Sequence, residues 1–248
     1  MSDNEHSIRN LSLVAFYGDK PVELINLIHH LQEHLANHRL VKHKFVPYQL
    51  QQIHGTIIGC EGFKTELGII SKWFYEHRQE TRSIDFSGLI DYLRHQADLP
   101  LSIRFGGFDR NTEYNFLSRD QHLYFRSWQL QPAADQTIPV LIGWSWKNES
   151  VSLAIDNLRR DLQQFNLLHK YHATPHAIDN DFYLRLGTID RKLTSKEIAE
   201  IATDIRDLLE TLPALYIPLN LENLVLVEYQ DLSLTPATTR VIPVSENL

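Results

Sequence analysis

Two four-residue runs carry the chemistry most open to a reading of the sequence: His54-Gly55-Thr56-Ile57 and Leu186-Gly187-Thr188-Ile189. Both lie in stretches rich in β-branched residues, and on a strand residues two apart project from one face. His54 and Thr56 therefore project together, as do Leu186 and Thr188. An imidazole can give or take a proton near neutral pH, and a neighbouring hydroxyl can donate to a phosphoryl oxygen. The pair describes a phosphate site with one acid/base group. The ordinary explanation of a His and a Thr on a half-buried strand is a structural hydrogen-bonded pair, so weight falls on the repeat of the motif.

A second signal competes. His30-Leu31-Gln32-Glu33-His34 matches HxxEH, the inverted zinc-peptidase pattern, and falls on a helical stretch. His30 and His34 share a face one turn apart, and His38 extends it by another turn. The third ligand should be a distant Glu on a helix. Glu113 has a plausible separation but falls in a loop or hairpin, and the Gly-rich flanks of such motifs are missing. A solvated helix face explains these residues better, and neither a metal nor a cofactor is expected.

The elements that position the first pair come in a repeating order. Leu11–Tyr17 reads as a strand, Val22–Ala36 as a helix with Leu24, Ile25, Leu27, Ile28, Leu31 and Leu35 at helical spacing, and Tyr48–Gly59 as the strand holding His54. Phe86–Gln96 reads as a helix and Leu101–Phe105 as a strand. The order then returns. Ile138–Trp146 is a strand, and Asn148-Glu149-Ser150 offers capping chemistry for the helix marked by Leu153, Ile155, Leu158, Leu162, Phe165 and Leu168. Phe182–Ile189 is a strand, Thr194 and Glu197 form a capping box for the next helix, and Leu221–Tyr229 is the last strand. The pattern predicts an α+β fold, bilobed, with a pseudo-two-fold duplication of strand–helix–strand–helix–strand halves. The first lobe covers about 11–108, a hairpin insert about 109–136, the second lobe about 137–235 and a tail about 236–248.

At this point the sequence resembles the 2H phosphoesterase superfamily, which includes RNA 2′,3′-cyclic phosphodiesterases. In that family each lobe supplies a strand motif of His, any residue, Ser or Thr, then an apolar residue. The resemblance implies that His54 is one of two acid/base histidines, that Thr56 lies beside it on the phosphate, and that Thr188 is the second hydroxyl. Leu186 stands where the second histidine belongs. One imidazole activates the attacking oxygen and the other protonates the leaving oxygen, and leucine can do neither. Losing one such group commonly costs about 10²–10⁴ in rate. His172-Ala173-Thr174 also spells HxT, but Pro175 follows it. His176 or Tyr183 could reach the cleft from the strand edge, whereas Arg185 should point to the face opposite Leu186 and Thr188. The implied function is binding of a phosphorylated nucleotide or RNA end between the lobes, with slow or degenerate phosphodiesterase activity. The alternatives are the zinc peptidase and a non-catalytic protein-interaction domain.

Composition narrows the classes. The chain has 248 residues with 43% hydrophobic and 22% charged residues, enough for a full core. Its net charge of −7 argues against a protein that coats nucleic acid through a broad basic surface. Small basic groups, Lys42-His43-Lys44 and Lys72, His77, Arg78 and Arg82, remain able to guide an anion. The single Cys60 fits a reducing compartment. Met1–Asn10 lacks an apolar run, and no stretch approaches the roughly 20 apolar residues of a membrane span. A cytoplasmic protein with no membrane partner is expected.

Overall fold

The strand-forming and helix-forming stretches assemble into an α+β fold in the computed structural model, which describes residues 8–66 and 68–245. The chain runs from β1 (Ile8–Arg9) and β2 (Leu11–Ala15) into α1 (Val22–Asn37), whose Leu24, Ile28, Leu31 and Leu35 are fully buried along one stripe. β3 (Phe45–Pro47) and a 3₁₀ turn, Leu50–Gln52, precede β4 (Gly55–Gly59). β5 (Gly62–Thr65) and β6 (Gly68–Ser71) pair antiparallel and lead to α2 (Lys72–Arg78), α3 (Phe86–His95) and β7 (Leu101–Phe105). After α4 (Leu123–Arg126), β8 (Trp128–Ala133), β9 (Gln136–Lys147) and β10 (Ser150–Val151) follow in close succession. Then come α5 (Ala154–Asp161), β11 (Asp181–Arg185), β12 (Gly187–Ile189), α6 (Ser195–Thr211), β13 (Leu215–Leu219), β14 (Leu224–Tyr229) and β15 (Thr239–Pro243).

Two antiparallel sheets matter for the site. A four-stranded sheet has the order β15-β14-β2-β4, leaving β4 at its edge. An eight-stranded sheet is organised by the long β9, which pairs with β7, β8, β10, β11 and β12. β4 and β11 lie alongside each other where the sheets meet. The main core takes residues from both. Phe182 of β11 meets Phe16 and Phe105 edge-on, with ring centres 5.9 and 6.1 Å away.

The capping box at Thr194 and Glu197 forms as its sequence predicts, and α6 buries Ile201, Ala202, Ile205 and Leu209. Other stretches differ. Asn148 and Glu149 cap no helix. Both have positive φ and make the tight turn between β9 and β10. The stretch Phe182–Ile189 is two strands with a break at Leu186. The run around Ser118–Gln121 is a turn closed by one isolated bridge, with Arg119 and Asp120 in the left-handed region. The hairpin of this region is β8–β9. β13 and β15 were not predicted; β13 carries Pro218 and lies at a sheet edge, where a missing N–H is tolerated. Residues 1–7 of the polar N-terminal stretch and 246–248 of the tail lie outside the described residues.

Candidate functional site: a cavity between β4 and β11

β4 departs from a regular ladder at the point where it meets the cavity. Ala15 faces Gly55 and Val14 faces Thr56, but Leu13 then faces Ile58 and Ser12 faces Gly59, so Ile57 is an extra residue. Such a bulge reverses the alternation of faces. Thr56 and Gly59 consequently both line the cavity, while Ile57 and Ile58 are both fully buried. The bulge frees backbone carbonyls, and the Arg159 side chain of α5 takes them. Its Nε donates to the Ile57 carbonyl at 2.7 Å and its Nη2 to that of Thr56 at 3.0 Å. The same guanidinium donates to the carbonyls of Asp179 at 2.7 Å and Asp181 at 3.0 Å. Arg159 is 2% exposed, and it fastens β4 to the start of β11. The two strands approach closely at Gly55, where a Cβ would lie 2.0 Å from a ring carbon of Phe182.

The cavity has a volume of about 170 Å³ and is lined on one side by His54, Thr56 and Gly59 and on the other by Tyr183 and Arg185. That volume, close to the roughly 150 Å³ of engineered cavities that admit a single aromatic ring, is the enclosed part of a cleft that opens to solvent. His54 follows the 3₁₀ turn, and its Nδ1 donates to the Gln52 carbonyl at 2.6 Å. This bond fixes the tautomer and leaves Nε2 with its lone pair. The ring is half-buried with Tyr17 edge-on at 6.2 Å. Burial pushes its pKa down to about 4; the Gln52 carbonyl opposes that shift, and the Arg185 and Lys20 cations add to it. At neutral pH His54 is a neutral imidazole able to accept a proton. Within the described residues, neither the Thr56 hydroxyl nor the half-buried Arg185 guanidinium has a hydrogen-bond or ion-pair partner.

The β11 wall is held by a buried ionic network. Asp181 accepts from Ser118 at 2.5 Å, Trp144 Nε1 at 2.7 Å and Arg126 at 3.0 Å. Tyr183 donates to Asp181 at 2.9 Å and accepts from Arg126. Burial and the Asp181 charge raise the phenol far above its ordinary pKa, so it keeps its proton. His169 lies 2.8 Å from Asp179, with Nε2 as donor to the carboxylate. Burial and the Arg159 charge lower the His169 pKa despite that bond, and its Nδ1 is buried without a partner. Lys170 and Tyr171 stand at the same cavity, and Arg119 lies over the Tyr171 ring at 4.5 Å.

The structure brings His54 and Thr56 to this cavity but not Thr188. Thr188 sits on β12 opposite Val46 of β3 and is not among the lining residues. Leu186 is fully buried in the main core, with its N–H bonded to the Pro139 carbonyl. The alternation that puts Leu184 and Leu186 into the core turns Tyr183 and Arg185 to the cavity, so this face of β11 meets His54. His172 is buried against Asp156 at 2.8 Å, and His176 is exposed. Glu61, Trp73, Arg159, His169, Lys170, Tyr171, Asp179 and Tyr229 also line the cavity without having been predicted. Only the doubled Ile57-Ile58 between two small or polar residues hints at the bulge in the sequence.

The histidines of HxxEH lie elsewhere. His30, Glu33, His34 and His38 line a surface groove with Asp204 of α6, and His38 Nε2 is 3.1 Å from Asp204. Glu113 lines a different groove, with Arg104 and Trp146. Among the described residues, no group of three or more His, Cys, Asp or Glu side chains is arranged to hold a metal ion. No helix among them is long and apolar enough to cross a membrane.

No protein-family model matches the chain, and no curated protein matches it. A solved structure of the Thermus thermophilus protein TT0787 aligns with 94% of this chain and 93% of its own, at 13% identity and a TM-score of 0.45. At that distance the likeness carries no conclusion about fold or function.

Proposed function

We propose that the cavity binds the phosphate of a nucleotide or RNA end, in a bilobed 2H phosphoesterase-like domain whose related halves meet along β4 and β11. The observation that carries this reading is the set of unpartnered groups at one cavity: the Thr56 hydroxyl, the Arg185 guanidinium and the bare Nε2 of His54. A guanidinium and a hydroxyl suit phosphoryl oxygens, and a neutral imidazole beside them suits a proton transfer to or from a ribose hydroxyl or water. Tyr183 and Arg185 face the cavity from β11, and His54, just before β4, and Thr56 face it from the other side.

Catalysis on this arrangement is slow. His54 serves as the proton acceptor, Arg185 stabilises charge on the phosphoryl group, and among the described residues no second imidazole nitrogen at the cavity is free to protonate the leaving oxygen. The His169 nitrogens are committed to Asp179 or buried. Calorimetric titration with nucleoside 2′,3′-cyclic phosphates tests the reading. Binding to the wild type should weaken about 10- to 100-fold in Arg185→Ala, as expected when a charge-assisted bond is lost. Wild-type affinity retained in both Arg185→Ala and His54→Ala would contradict it.

A further inference from the structure

The far end of the same cavity carries a carboxylate with no counter-charge. Glu61 lies just beyond β4, and its Oε2 rests so close over Gly59 that a Cβ there would lie 2.2 Å from it. Two donors hold the group: Trp73 Nε1 at 3.1 Å on Oε2 and the Tyr229 hydroxyl at 3.4 Å on Oε1. The Ser12 hydroxyl is 3.3 Å from that of Tyr229 and steadies it in turn. Ser12, Gly59, Glu61, Trp73 and Tyr229 all line the cavity that holds His54 and Arg185. Within the described residues no cation forms an ion pair with Glu61. Each carboxylate oxygen can accept more than one hydrogen bond, so both keep acceptor capacity. The cavity thus offers cations at Arg185 and Lys170 and a positioned double acceptor at Glu61.

We infer that Glu61 reads a nucleobase through a pair of adjacent N–H donors, and that the cavity therefore selects guanine. This rests on the phosphate reading of the same site. Among the standard bases only guanine presents two neighbouring donors, N1–H and the N2 amino group, on its Watson–Crick edge. Adenine and cytosine present a donor beside an acceptor, and the uracil N–H lies between two carbonyls. An acceptor facing a carboxylate is repelled, so discrimination comes from both the bond made and the clash avoided. A good bidentate contact to a base discriminates by about 10- to 100-fold. The bare Cα of Gly59 is what lets the carboxylate lie back against the strand and face the ligand.

The test is calorimetry on the intact protein with guanosine, inosine and adenosine 2′,3′-cyclic phosphates, in the wild type and in Glu61→Gln. The wild type should bind the guanine form about 10- to 100-fold more tightly than the adenine form, with inosine, which lacks the amino group, between them. Glu61→Gln should collapse that ratio to within about threefold, because an amide offers one acceptor and one donor where two acceptors are needed. Equal wild-type affinity for guanine and adenine forms overturns this inference and leaves the phosphate site standing, as does a guanine preference that survives Glu61→Gln. Failure of all three to bind the wild type overturns the phosphate reading and this inference with it.

Discussion

His54 enters the cavity as a neutral imidazole with Nδ1 committed to Gln52, so Nε2 is the only ring nitrogen left for a ligand. Its folded pKa, about 4, lies below the ordinary value near 6.5. The acid limb of ligand binding or of kcat/KM should accordingly fall near pH 4, and His54 ring resonances followed by NMR should titrate there; a midpoint near 6.5 would show a solvated ring. The sign for stability follows. The unfolded chain binds the proton more tightly, so the His54 contribution is fully present above about pH 6.5 and is lost as pH falls towards about 4. His169, also lowered, acts in the same direction. Denaturant unfolding at pH 7 and pH 5 should show the loss, and a smaller one in His169→Gln. At the opposite wall, Leu186→His puts a polar ring into a fully buried core position and should cost a few kcal/mol without raising turnover. Tyr183→His presents an imidazole to the cavity and should raise cyclic-phosphate hydrolysis in a steady-state assay.

Between elements, one side chain closes the seam. Arg159 satisfies the carbonyls freed by the β4 bulge and those of Asp179 and Asp181, and its charge lies 3.5 Å from the Asp179 carboxylate. Arg159→Met should destabilise the fold by about 3–5 kcal/mol, since it removes a buried cation from the Asp179 carboxylate, which keeps His169, and leaves several buried carbonyls without their donor. Lys should not rescue it, because one ammonium cannot reproduce the fork; thermal melts of both variants check this. The longer helices α1, α3 and α6 were legible because their apolar residues keep one period over several turns, as Leu24, Ile28, Leu31 and Leu35 do in α1, whereas the short α2 and α4 were not. Thr194 and Glu197 likewise announce α6 through a local bond. The facing of β4 and β11 was not legible. An alternation rule carries through a strand only while the ladder is regular, and one extra residue at Ile57 or a break at Leu186 changes which side chains meet. His54 and Thr56 could thus be assigned to one face, whereas Arg185 was assigned away from the site on correct parity but the wrong partner face.

At the scale of the molecule, an acidic chain of net charge −7 keeps two cations without ion-pair partners among the described residues, Arg185 and Lys170, at one concave place, which the Glu61 and Asp179 carboxylates also line. Such an arrangement favours a small anion at a defined point over a long polyanion, and weak dependence of affinity on salt should follow compared with a nucleic-acid-coating surface. The composition of this wall was hidden in the sequence because it is assembled from segments far apart, His54 with Thr56, Glu61 with Trp73, residues 169–171 and β11. Thr188, on β12 and away from the cavity, provides a contrast: Thr188→Ala should leave nucleotide affinity unchanged, whereas Thr56→Ala should weaken it several-fold, about the value of one hydrogen bond to a charged group. The most direct measurement is a crystal structure of the protein with a nucleoside 2′-monophosphate bound. The phosphate should lie within hydrogen-bonding distance of the Thr56 hydroxyl and the Arg185 guanidinium, with a ribose hydroxyl or a water at the bare His54 Nε2. A phosphate bound elsewhere on the molecule, with this cavity unoccupied, would contradict the account.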